Sequence, residues 1–79
     1  MPHVRYFAAA AEAAGTSAEN VDAATLGDLL ATMKKAHGPQ LVGVLQRCSV
    51  LINGATTSDP AAVVPKDATV DVLPPFAGG

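Results

Sequence analysis

Hydrophobic positions alternate at both ends of this chain and follow a helical period in the middle, and each change of period marks an element. Over residues 3–7, Val4 and Tyr6 fall on one side and Arg5 and Phe7 on the other, which predicts an opening strand. Residues 8–14 are nearly all Ala around Glu12 and stop at Gly15, the pattern of a short helix with its C-terminal glycine. The polar run 16–21 has a β-branched residue at each end and predicts a second strand returning beside the first. Leu26, Leu29, Leu30, Met33 and His37 recur at the spacing of one helix face. Thr25 with Asp28 three residues on has the form of a capping box, so this helix is expected to start at Thr25. Lys34 and Lys35 suit its C-terminal dipole, and Gly38-Pro39 is expected to stop it.

Residues 41–46 are apolar without a clear period and fit either a helical turn or a connecting loop. Residues 49–53 predict a strand with Val50 and Ile52 on one face, reversing at Asn53-Gly54, a dipeptide that tolerates the positive φ of a tight hairpin turn. A loop with Pro60 and Pro65 leads to a final strand over 68–73, where Val70 and Val72 oppose Asp71 and Leu73. The order strand, strand, long helix, strand, strand describes an α+β layer pair, one mixed sheet under one main helix. First and last strands can lie parallel because the helix between them supplies the crossover. That is the β-grasp arrangement. Residues 1–73 are assigned to this domain and 74–79 to a C-terminal tail.

Composition narrows the function classes. A chain of 79 residues has room for one small domain, and 16 of its apolar residues are Ala, leaving a modest set of larger side chains for a core. The net charge of -2, five scattered basic residues and no Trp give no footprint for nucleic acid. No apolar run is long enough to span a bilayer, and the start is too short in its apolar part for a signal peptide. One cysteine, Cys48, allows no internal disulfide, so a cytoplasmic location is expected. His3, His37 and Cys48 are too far apart for a metal cluster. Cys48 reads as a small core residue, His37 as packed against the core or capping a carbonyl, His3 as exposed, and the two lysines as solvated partners of the helix dipole. Paired carboxylates, a nucleophile with its base, and a phosphate loop are all missing, which argues against a free-standing hydrolase or transferase.

The candidate chemistry lies in Pro74-Pro75-Phe76-Ala77-Gly78-Gly79, directly after the last strand. Two prolines cannot donate to a central ladder and favour extended geometry before them, so an arm is expected to leave the sheet here. From Pro75 to Gly79 the chain reaches at most about 17 Å. Without side chains, Gly78 and Gly79 can pass a narrow channel and leave the Gly79 carboxylate unhindered. Phe76, on an arm with no core of its own, suits an anchor in a partner's pocket. A carboxylate is unreactive until activated, for example as an acyl adenylate, so the chain reads as a carrier and not as a catalyst.

Val4-Arg5-Tyr6-Phe7-Ala8, Glu12 to Gly15, the Leu-rich helix, Val50-Leu51-Ile52-Asn53-Gly54 and the Pro-Pro-x-x-Gly-Gly ending together resemble the MoaD/ThiS family of ubiquitin-like sulfur carriers, most closely its molybdopterin synthase small-subunit branch. The resemblance implies no bound cofactor. It implies that an ATP-dependent adenylyltransferase of the ubiquitin-activating type adenylates Gly79, that sulfur from a persulfide donor replaces AMP, and that the Gly79 thiocarboxylate delivers sulfide. In that branch Pro74, Pro75, Phe76, Ala77 and Gly78 would enter the molybdopterin synthase large subunit, where a pterin precursor takes the sulfur. Carriers for thiazole and for cysteine synthesis share the Gly-Gly end, and the same activated Gly79 would serve a protein modifier that forms isopeptide bonds.

Overall fold

The computed structural model describes residues 1–75. The opening alternation forms β1 (His3–Tyr6), which buries Val4 and Tyr6 and exposes His3 and Arg5. Next comes α1 (Ala9–Ala14), ended by Gly15, and then β2 (Ala18–Asn20), antiparallel to β1 and shorter than its polar run suggested. The main helix, α2 (Leu26–His37), starts where the Thr25 hydroxyl accepts from the Asp28 backbone N–H at 3.3 Å. Gly38 ends it at φ 76, a conformation that costs glycine nothing, and donates its N–H to the Lys34 carbonyl.

Pro39 does more than follow a stop. It opens α3 (Pro39–Leu45), since the first helical position needs no N–H and the proline ring already has a helical φ. The segment 41–46, open to two readings in sequence, is therefore largely helical, with Leu41 fully buried. β3 (Ser49–Ile52) then reverses through Asn53 (φ 50) and Gly54 (φ 84) into a two-residue partner, β4 (Ala55–Thr56). This adds a strand to the four expected: two positive φ values in succession bring the chain straight back into register, Leu51 opposite Thr56. β5 (Thr69–Leu73) closes the domain.

The strand order is β2-β1-β5-β3-β4. β5 lies in the middle, parallel to β1 with Val4 opposite Val70, and antiparallel to β3 with Val50 opposite Val72. Val4, Val70 and Val72 are completely buried on the face that meets Leu29 of α2 and Leu41 of α3, which places the core between one sheet face and the helices. Leu26, Leu29 and Met33 of the predicted stripe are buried and Leu30 packs partly against the core.

His37, the last residue of that stripe, closes a polar cluster at the sheet edge. Its Nε2 and the Tyr6 hydroxyl both donate to one oxygen of Glu19, the Tyr6 bond at 2.6 Å, and the two rings meet edge-on at 5.9 Å. One carboxylate thus joins β1, β2 and the end of α2. Burial opposes ionisation of Glu19, but the bonds from Tyr6 and His37 outweigh it and hold the carboxyl below its ordinary value. Burial and the same carboxylate push the Tyr6 phenol upward. His3 is exposed, as expected, and bonds the Asn20 side chain.

Two predictions follow from this geometry. Ala8 joins β1 to α1 at φ 51, ψ -124, where a Cβ is strained. Ala8→Gly is expected to stabilise the domain by about 1 kcal/mol in urea unfolding, the relief of strain exceeding the added freedom of the unfolded chain. A carboxyl whose folded pKa is lowered stabilises the fold above its unfolded value and loses that contribution as pH falls through the folded one. Glu19→Gln is therefore expected to unfold at lower temperature than the parent above about pH 5, with the gap narrowing towards about pH 3 in thermal melts.

Candidate functional site

The tail begins at the C-terminal end of the central strand. β5 is bonded on both sides, so Leu73, opposite Ser49, is held before the chain leaves the sheet. Pro74 and Pro75 then end the ladder, since neither has an N–H to offer. Pro74 is half-buried and Pro75 exposed, and together they form one wall of an open cleft of about 350 Å³. Gln40, Gly43 and Val44 of α3, with Arg47 just after it, form the other wall. Phe76, Ala77, Gly78 and Gly79, the remaining predicted site residues, lie outside the described residues.

The root of the tail is fixed by charge as well as by the ladder. On the sheet face away from the helices, Arg5 holds Asp71 through two bonds, Nε to Oδ1 at 2.6 Å and Nη2 to Oδ2 at 2.8 Å. The Asp71 hydrogen bond and charge stabilise the protonated guanidinium and raise its pKa further. The same guanidinium sits 5.7 Å from the Phe7 ring centre. Phe7 donates its backbone N–H to Val72, so β1 grips β5 one residue beyond the strand proper.

A second cleft, about 310 Å³, opens between α2 and the β3–β4 hairpin and contains Leu30, Lys34, Gln46 and Cys48. Cys48 has the packing role expected of it: it is half-buried against the core and its thiol donates to the Val44 carbonyl at 3.2 Å. Burial pushes that thiol up, away from the reactive thiolate. Lys34 and Lys35 are exposed in the last turn of α2. Among the described residues, no three His, Cys, Asp or Glu side chains converge on a metal-sized site, and no helix is long and apolar enough to cross a membrane.

The wall that faces Pro74 and Pro75 carries no assignment from sequence. Arg47 and the α3 wall stay hidden as long as Pro39 reads only as a helix stop. The signal was present: Pro39 at a first helical position with Leu41, Val44 and Leu45 at helical spacing behind it.

Known proteins share this fold. SAMP1 from Haloferax volcanii is 29% identical over 99% of this chain and 98% of its own, with a TM-score of 0.83. A chain of the Helicobacter pylori complex of molybdopterin-converting factor subunits 1 and 2 is 20% identical over 99% and 97%, with a TM-score of 0.76. A chain of the Amycolatopsis orientalis BexX/CysO complex is 17% identical over the full length of both, with a TM-score of 0.80. No protein of curated function matches. The ThiS family model matches residues 4–79, running from β1 to the final glycine. The chain therefore belongs to the ThiS family, as a ubiquitin-like sulfur carrier or modifier of β-grasp fold.

Proposed function

We propose that this protein is a sulfur carrier that works through the carboxylate of Gly79. The observation that carries the reading is the continuity of a family match through residue 79 with a central strand that leads directly into Pro74 and Pro75. A rigid body holds the root, and the chemistry belongs to the last atoms. In the first step an oxygen of the Gly79 carboxylate attacks the α-phosphorus of ATP in an activating enzyme of the ubiquitin-activating type, and pyrophosphate leaves. The terminal sulfur of a persulfide then attacks the acyl carbon and displaces AMP. Cleavage of the remaining S–S bond by a thiol leaves the Gly79 thiocarboxylate. ATP is a substrate of the partner here, not a cofactor of this chain.

The acceptor proposed is a pterin precursor held by a molybdopterin synthase large subunit, with Pro74, Pro75, Phe76, Ala77 and Gly78 entering that subunit and Gly79 presenting the sulfur. The resemblance of the Pro-Pro-x-x-Gly-Gly ending to that branch supports this choice, and the work it describes belongs in the cytoplasm. A second reading, conjugation of Gly79 to lysines of other proteins, is favoured by the likeness to SAMP1, a small archaeal modifier protein in name.

Intact mass after incubation with ATP, the activating enzyme and a persulfide donor tests the proposal. One oxygen of the protein is expected to be exchanged for sulfur at Gly79, and a variant with one residue added after Gly79 is expected to keep its fold and lose the exchange. Equal exchange in the extended variant, or lysine conjugates in place of the thiocarboxylate, overturns the carrier reading.

A further inference from the structure

The charge around the tail root differs from that of the molecule as a whole. The net charge is -2, yet none of the seven acidic residues lines either cleft beside α3. The cations there are Arg47 in the cleft walled by Pro74 and Pro75, and Lys34 in the cleft on the other side of residues 44–48. The two arginines are used differently. Arg5 is neutralised by Asp71 through two bonds, whereas Arg47 is exposed and, among the described residues, meets no carboxylate. Beside it, Gly43 presents bare backbone: a Cβ built there would meet nothing within 4 Å.

The length of the tail determines what covers this cleft. Four residues follow Pro75, and they span at most about 14 Å. An enzyme that closes its active site on Gly79 must bring its own surface that near to Pro75, and so over Arg47. A guanidinium covered without a counter-charge loses its water and gains nothing in return. A carboxylate on the covering surface offsets that loss best, since it carries the counter-charge, the Gln40 amide can also bond it and the bare backbone at Gly43 lets it approach closely.

We propose that the cleft between α3 and Pro74-Pro75 is the docking site for an acidic segment of the activating enzyme, with Arg47 pairing to one of its carboxylates. This rests on the carrier reading above and adds the surface by which the activating enzyme recognises the carrier. Arg47 is a recognition residue: it never touches the reacting carboxylate, and it acts on binding before chemistry.

The test is ATP–pyrophosphate exchange catalysed by the activating enzyme, measured against carrier concentration, which reports adenylation of Gly79 alone. Arg47→Ala is expected to raise KM for the carrier about tenfold and Arg47→Glu further, with kcat within about twofold of the parent. Arg47→Lys is expected to restore most of the affinity. Salt is expected to raise the parent's KM towards that of Arg47→Ala and to leave the latter nearly unchanged. Lys66→Glu makes the same charge change ahead of β5, at the end of the strand away from the tail, and is expected to leave KM within about twofold. Circular dichroism checks that each variant keeps its fold. An unchanged KM in folded Arg47→Glu, or an equal rise in Lys66→Glu, overturns the docking site while the carrier reading stands. No exchange with the parent protein overturns both.

Discussion

Everything at the working end of this molecule depends on the parallel pairing of β5 with β1. These strands come from opposite ends of the chain, and joining them costs loop-closure entropy that no local contact repays. The cost is met by three valines buried to completion, Val4, Val70 and Val72, and by Arg5 and Asp71 on the opposite face. Once made, the pairing puts β5 in the sheet interior with β3 on its other flank. A tail attached to an edge strand could peel that strand away under load. Here a pull on Pro75 acts on a strand bonded along both sides.

The two sheet faces and the third helix divide the remaining tasks. The inner face is apolar and carries stability, closed at its edge by the Tyr6, Glu19 and His37 cluster, whose three members come from three elements. The outer face carries the Arg5–Asp71 pair, with Phe7 against the cation. α3 does two things at once: Leu41 buries itself in the core, while Gln40, Gly43 and Val44 face the prolines that begin the tail. One short helix therefore couples the packing of the body to the surface beside the tail.

How much of this could be read from sequence follows from how local each cause is. β1 and β5 were legible because strict alternation at Val4 and Tyr6, and again at Val70 and Val72, matches a half-buried strand. α2 was legible because its cap, stripe and stop are all written within its own residues. α3 is seven residues with a glycine inside, so its signal at Pro39, Leu41, Val44 and Leu45 is faint beside the stop that Gly38-Pro39 gives to α2, and β4 has two residues and exists because Asn53-Gly54 turns the chain back. Glu19 gave no signal, since its meaning depends on Tyr6 and His37 arriving from elsewhere. Arg47 goes with the unread α3, and the prolines opposite it belong to the far end of the chain. Pro74 and Pro75 mark in the sequence where the chain leaves the sheet, because a proline ends a ladder by its own lack of an N–H.

The adenylate proposed at Gly79 would also have to escape the protein's own nucleophiles. An acyl adenylate is open to attack by any thiolate or amine within reach. The one thiol, Cys48, is half-buried, bonded to the Val44 carbonyl and pushed up by its surroundings, so it is held in its unreactive form. Lys66 precedes β5 and lies at the end of the strand away from Pro74. Lys34 lines the cleft on the far side of residues 44–48 from the prolines. Among the described residues, the cation that shares a cleft with Pro74 and Pro75 is an arginine, whose guanidinium is a poor nucleophile compared with an amine. On the proposed carrier reading, arginine at position 47 would give the tail root a positive charge without adding an amine able to capture an activated Gly79.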